Sequence, residues 1–592
     1  MRKLYPILFY LTFVPAFVLC FMQTSLMMPG GKAVDWAMTV LLILSHALAC
    51  TETGLEFARS DKSPRARALF WGRIAIILIS ILCIVNKTYS FPLTVLVLLS
   101  ISSQPCKEDG LLKTGFYIGT VIVVALFFLS MLGLVPNNRG NSFGFIYRTD
   151  YAAHLLSLAI LWCIIRDGWL SWLGELAMVA LAVFMGAVVG GSTDFICIVI
   201  LILGTQCRHY MRIGGVPYQE GYGILVPLLF KLIYLPAIIL CRIAKKLNTV
   251  KLSSALRYSF VAAALISFIL TFTYQPLQAF WDWIPGLGTV KSRLFLGTIG
   301  FQEYPLMLLG NIIPEMGAGY SESGVSAYFF LDNAYVRLAL KYGLAMLVIF
   351  LWLMSTVQGR LHREGRHYAV FALAVFALGS LLEFEALHFG YNLFALLAFC
   401  RLSEKPGVEA CDRLRIGDSP VCKRIVYGGM SMVVAVLFGL WCFTAYRITS
   451  WRGWTPFYAA TVVVPDDQDV TLLEKRLSMA KDYMSVRPDA ACVVATEESR
   501  DWMIDNKVDS TRVHVVPYSG IDDMLTESYS FVQKERLNSR LAVCAPGIEQ
   551  GRIARRASAL HIPVNSLEVR LPLGQHLRCF ASEQWRLLCG KE

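Results

Sequence analysis

The stretch FFLDNAYVRLALKYG, Phe329–Gly343, runs directly into LAMLVIFLWLM. The joined segment is apolar and long enough to cross a bilayer, which takes about 20 residues of helix. It therefore predicts a span over 331–356 and makes the chain a membrane protein. Three charges sit at or just inside its start: Asp332, Arg337 and Lys341. Charged side chains in a span nearly always face a bundle interior or a water-filled cavity. Asn333, Arg337 and Lys341 recur at i, i+4 and i+8, the spacing that places residues on one stripe of a helix.

Outward from there the pattern repeats. The chain has 592 residues, 56% hydrophobic and only 16% charged. A soluble domain is roughly 45–50% apolar and about 25% charged. Apolar runs predict spans near 5–22, 35–50, 69–86, 90–104, 115–135, 151–165, 172–189, 191–206, 258–275, 331–356, 368–386, 389–401 and 425–447. The first run follows Arg2 and Lys3 with no small-residue cleavage site, so it reads as a retained span. The run 223–241 has basic flanks, two prolines and Lys231, and reads as re-entrant or interfacial. The fold class expected is a polytopic α-helical membrane protein of about 13 spans, residues 1–450. A C-terminal doubly wound α/β domain, 455–592, follows it.

Basic loops at 51–68, 207–213, 242–257, 358–367 and 401–424 read as cytoplasmic by the positive-inside rule. The net charge of +12 then reports orientation rather than nucleic-acid binding. With 13 spans the terminal domain lies outside the cell, on a multi-pass plasma-membrane protein. Two loops face outward in this reading. One is 136–150, with Arg139 and Arg148. The other is a large loop over 275–330, rich in aromatics and glycine, with Lys291 and Arg293. Loops of that length are usually functional or disordered. An outer arginine runs against the charge rule, and its planar fork of donors suits phosphate.

Residues 455–592 carry 19 acidic and 17 basic residues, so this part is near neutral. Val-rich strands at 459–465, 491–496, 512–517 and 541–545 alternate with amphipathic helices, which implies a parallel sheet. Sixteen cysteines are scattered, with no C-x-x-C pair or metal spacing. Cys492, Cys544, Cys579 and Cys589 have the option of disulfides if the terminal domain is extracellular. No metal site or cofactor is expected.

The segments SRLFLG, YPLMLLGNIIPEMGAGYS and YFFLDNAYVRLALKYGLAMLVIFL resemble the O-antigen polymerase and ligase (Wzy/WaaL-like) superfamily. The similarity is greatest to polysaccharide polymerases of Gram-positive bacteria. Arg293 matches an outer-loop arginine, Gly310 a glycine after the apolar run, and Asp332-Asn333 a polar pair at a helix start. NSFGFIYRTDYAAHLL, 141–156, looks like a further segment, with Arg148, Asp150 and His154. Where ligase-type members carry His, this chain has Asp332. A carboxylate there has two readings: accepting a proton from a sugar hydroxyl, or orienting Arg337. A plain structural salt bridge to a neighbouring cation is the third.

The resemblance implies that a lipid-pyrophosphate glycan donates its sugar chain to a second lipid-linked unit at the outer face. Asp332, Arg293 and Arg337 would then be catalytic. Arg139, Arg148, Lys291, Asn333, Lys341, Glu385 and His388 would bind substrate. Glu385 and His388, three apart, share a helical face with Asn392 and are a candidate acid–base pair; polar packing at a helix end is the plainer reading. Other polysaccharide assembly proteins are possible partners; nucleic acid is not expected. The alternatives are a ligase, or a transporter of lipid-linked sugar.

The terminal domain resembles the SanA/YdcF-like family through EKRLSMAKDYMSVRPDAACVVAT, GIDDMLTESYSFVQKERL and LAVCAPGIEQGRIARRASAL. The glycine turns expected after its first two strands are replaced by VPDDQD and ATEES. Glycines let backbone approach a phosphate, so their loss argues against a nucleotide or phosphate site.

Overall fold

A computed structural model describes residues 4–28, 32–59, 64–137, 141–213, 248–277, 288–315, 329–403, 461–486, 490–535, 541–545 and 564–568, with a few single positions between. The chain divides into two compact units. One comprises Met1–Ile266, Met307–Ile312 and Asn333–Thr444. The other comprises Ser267–Leu306, Ile313–Asp332 and Ala445–Glu592.

The first unit is helical. Among the described residues five helices are long and apolar enough to cross a membrane: Tyr5–Met22, Lys32–Ala58, Glu108–Met131, Arg148–Ile165 and Leu344–Arg363. Thr249–Leu256 and Ser259–Tyr274 form a pair bent by 54°. Leu69–Val85, Phe91–Ser102, Leu173–Val189 and His367–Gly379 are shorter apolar helices. The run 223–241, read as re-entrant or interfacial, and nearly all of the expected span 425–447 lie outside the described residues.

Two expected spans take another form. The segment 389–401 holds only a six-residue 3₁₀ helix, Leu393–Ala398. Side chains satisfy its backbone: Arg360 donates to the carbonyls of Leu397 and Cys400 at 2.8 and 2.9 Å, and Ser103 donates to Leu396 at 2.9 Å. Non-helical backbone at membrane depth is tolerated only where protein or a cavity covers it, and every residue from Leu393 to Ala398 is buried.

The expected span 331–356 is broken. A single α turn, Ala334–Arg337, opens into a π turn, Leu338–Tyr342, and the helix restarts at Leu344. Gly343 makes the break with φ +90°, a backbone only glycine adopts without strain. Met307–Ile312 caps it. Leu344 and Ala345 donate their N–H groups to the Met307 and Leu308 carbonyls, both at 3.1 Å. Asn311 bonds the Leu340 carbonyl through its backbone N–H at 3.0 Å and its side chain at 2.8 Å.

The glycine run at 186–191 ends a π turn, Met185–Val189, at Gly190. Gly191 packs so closely on Ala152 that an added Cβ would lie 2.5 Å from it. Close packing at a helix break is what GAVVGGST suggests, rather than a nucleotide loop.

In the second unit, the described residues between 461 and 568 form a five-stranded parallel sheet. The strands are β1 (Thr461–Val464), β2 (Cys492–Val494), β3 (Val513–Val515), β4 (Leu541–Ala545) and β5 (Val564–Glu568), in the order β3-β2-β1-β4-β5. Successive strand residues point to opposite faces. Val462, Val464, Cys492 and Val494 pack under Val470–Val486 and Glu497–Asp505. Val463, Val493, Leu541 and Val543 pack under Ile521–Lys534 and Ile553. Both faces are covered, as in a doubly wound sheet. Cys492 and Cys544 are free thiols in this core; burial pushes Cys492 up to about 12. Cys579 and Cys589 lie outside the described residues.

Candidate functional site

Asn333 caps the broken span. Its side-chain oxygen accepts the N–H groups of Tyr335 and Val336 at 3.0 and 3.2 Å. That oxygen is spent on orphan donors of the helix start. The stripe expected for Asn333, Arg337 and Lys341 is not kept. The π turn advances the chain fewer degrees per residue than an α turn, so Lys341 leaves the line. Lys341 is half-buried, its ammonium 6.0 Å from the Tyr342 ring.

Arg337 remains in the interior, 7% exposed, with its guanidinium 4.5 Å above the Phe384 ring. Phe384 belongs to an irregular stretch that also carries Glu383, Glu385, His388 and Asn392, all buried. Glu385, His388 and Asn392 do not share a helical face. Only Glu385–Leu387 is helical, as one 3₁₀ turn, and the chain then bends. The His388 side chain takes its hydrogen bond from the Gly390 N–H at 3.2 Å rather than from Glu385. Asn392 donates to the Ala386 carbonyl at 2.7 Å.

The helix Arg148–Ile165 brings a second polar group. Tyr391 donates its hydroxyl to Asp150 at 3.4 Å, and Asp150 accepts the Tyr147 N–H at 3.2 Å. His154 is fully buried between rings, 3.7 Å from Phe21 and 4.1 Å from Tyr391. Its Nε2 lies 2.8 Å from the Thr24 hydroxyl. This is an interior histidine, seated by its aromatic neighbours. Arg148 is exposed at the start of the same helix. Its guanidinium runs so close to Gly190 that an added Cβ would lie 3.4 Å from Nη1. Arg139 lies outside the described residues.

Asp194 was not legible as part of this interior. It is 1% exposed in the first turn of Ser192–Ile213, after the glycine break. An aspartate directly after GGST reads as a helix-start residue, and nothing in the local pattern says it turns inward.

The other predicted residues belong to the second unit. Arg293 and Asp332 form an ion pair at 3.2 Å, with side chains 11% and 13% exposed. Arg293 and the half-buried Lys291 sit on the helix Gly288–Glu303. Glu315 accepts the Leu331 N–H at 3.2 Å, just before Asp332. Residues 316–328 of the large loop lie outside the described residues.

In the α/β part a cleft of about 640 Å³ opens at the carboxyl ends of β1, β2 and β3. Asp466, Asp467, Glu474 and Glu498 line it, with Trp502 and Tyr518. Tyr518 ties its rim by donating to the Val464 carbonyl at 2.9 Å and accepting the Asp466 N–H at 3.1 Å. Asp467 is paired with the buried Arg476 at 3.0 Å. Among the described residues no group of three or more His, Cys, Asp or Glu is arranged to hold a metal ion.

The chain matches no protein-family model, no curated protein and no solved structure.

Proposed function

We propose that the chain is a membrane glycosyltransferase. It polymerises undecaprenyl-pyrophosphate-linked oligosaccharide repeats into a cell-surface polysaccharide at the outer membrane face. The observation that carries this reading is Arg337, a permanent cation buried at a helix break in an apolar bundle. An intramembrane ionisable residue is a functional position by default. A guanidinium suits a pyrophosphate leaving group, on which charge develops as the sugar departs. Arg293 and Asp332, paired within the second unit, are the further catalytic candidates that the resemblance implies. Glycan transfer to a different acceptor, as a ligase performs, uses the same chemistry. The terminal domain then lies outside the cell and engages glycan or other assembly proteins.

A second reading has its own observation. Broken membrane helices at Gly343 and through 380–403 are also how transporters build substrate sites. One experiment separates the two: reconstitution of the purified chain in vesicles with a defined lipid-linked repeat. Polymerisation gives a ladder of lengthened products on a gel. Movement of unlengthened repeat between leaflets, with no ladder, overturns the transferase reading.

A further inference from the structure

His388, Phe389 and Gly390 form a tight turn in the first unit, and the turn dictates the state of the imidazole. The Gly390 N–H points at Nδ1, 3.2 Å away. A backbone N–H can only donate, so Nδ1 accepts, and the neutral ring then carries its proton on Nε2. The turn is held on every side. An added Cβ on Gly390 would lie 3.1 Å from the Phe21 backbone and 3.2 Å from His388 Nδ1 itself. Phe389 is fully buried, packed edge-on to Phe13 and Phe17. Tyr391 and Asn392 both donate their N–H groups to the His388 carbonyl at 3.0 Å. The Tyr391 ring lies 5.2 Å from the imidazole, anchored through its hydroxyl to Asp150.

The ring is thus fixed in place and in tautomer, and only 8% exposed. Its Nε2 has no hydrogen-bond partner among the described residues. With Nδ1 occupied by the Gly390 N–H, Nε2–H is the ring's donor available to a ligand oxygen. Arg337 comes to the same stretch of chain, its guanidinium 4.5 Å over the Phe384 ring. A neutral N–H adds no second positive charge beside it.

We infer that His388 is a neutral hydrogen-bond donor, through Nε2–H, to a phosphate oxygen of the ligand that Arg337 attracts. This deepens the proposed function and rests on it for the identity of the ligand. It also assigns His388 a role other than the acid–base pair with Glu385: a ring locked with its proton on Nε2 donates there and does not accept. Gly390 becomes a positioning residue for that donor.

The test uses the full chain in detergent with two neutral amide variants. The Gln side chain places an amide N–H near the Nε2 position, and the shorter Asn side chain places it near Nδ1. Binding of undecaprenyl pyrophosphate, inorganic pyrophosphate and phosphatidylglycerol nanodiscs is measured for each. The ¹⁵N spectrum of histidine-labelled protein reads the tautomer, with H388Q identifying the signal. The expected result is an unprotonated Nδ1 and a protonated Nε2. H388Q should bind within about threefold of the native chain, and H388N at least tenfold more weakly. The probe that shows this split identifies the source: a lipid pyrophosphate, a free anion or a headgroup.

Equal binding by the two variants, binding of no probe by the native chain, or a proton on Nδ1 each overturns the inference. A Gln/Asn split in binding without any polymer ladder would retain the donor and dismiss the polymerase.

Discussion

Gly310 and Gly343 meet backbone to backbone. A Cβ on Gly343 would lie 2.3 Å from the Gly310 nitrogen, and one on Gly310 would lie 2.2 Å from the Lys341 carbonyl oxygen. Both take positive φ, +84° and +90°. The contact seals the break that leaves Arg337 in a short isolated turn.

Alanine at Gly343 would force a strained backbone and a clash with main chain, which cannot swing aside as a flexible side chain can. Strain of this kind costs about 1–3 kcal/mol, and the clash adds to it. Gly343→Ala and Gly310→Ala should each lower the thermal midpoint of the purified protein by several degrees. An unchanged midpoint in both would show that the close approach is dispensable.

The Arg293–Asp332 pair is half of the predicted chemistry, and it is also a lock. Removing one partner of a buried pair costs about 3–5 kcal/mol, because the other charge is left uncompensated; the slight exposure here reduces that figure. The exchange Arg293→Asp with Asp332→Arg should restore folding by recovering the pair. It should not restore polymer length, since the cation and carboxylate then stand at each other's positions. Long chains from the exchanged protein would reduce the pair to a structural bridge.

Tyr391→Phe removes the hydroxyl that Asp150 accepts. A hydrogen bond to a charged group is worth about 1.5–3 kcal/mol, and at 3.4 Å this one belongs at the low end. Urea unfolding should show a loss of about 1–2 kcal/mol. The imidazole tautomer at His388 should survive, since Gly390 and not Tyr391 sets it.

The terminal domain should weaken in mild acid. Burial holds the His514 imidazole below its ordinary value of 6.5, with Arg500 acting the same way and Glu535 opposing. The folded chain therefore binds fewer protons there than the unfolded chain does. The His514 contribution to stability is fully present above about pH 6.5 and is lost as pH drops below it. Hydrogen exchange of the Val513–Val515 amides should be faster at pH 5.5 than pH 7.5, after correction for intrinsic rates. His514→Gln should flatten that difference.

Four of the five strands were readable because each is a short Val-rich run between helical patterns. The fifth, VNSLE, carries two apolar residues among five and has no such run; its pairing with β4 makes it a strand. The broken span was misread for a related reason. An apolar run with charges at i, i+4 and i+8 is a helix to any periodicity rule, and only the close approach of Gly310 shows why the helix stops at Gly343. Arg337 and His388 were legible as polar residues in apolar surroundings. That His388 bonds Gly390 and not Glu385 was not, because the 3₁₀ turn gives no distinct sequence period. Asp332 was legible as a charge needing a partner, and Arg293, 39 residues away, is that partner.

The strand order β3-β2-β1-β4-β5 carries a consequence for synthesis. β1 is made first and ends in the middle. β2 and then β3 add to one edge, and β4 and then β5 to the other. No strand has to be inserted between two that are already paired, so the sheet can grow outward in the order in which its strands emerge. A chain that stopped after β4 would lack an edge strand and keep its centre.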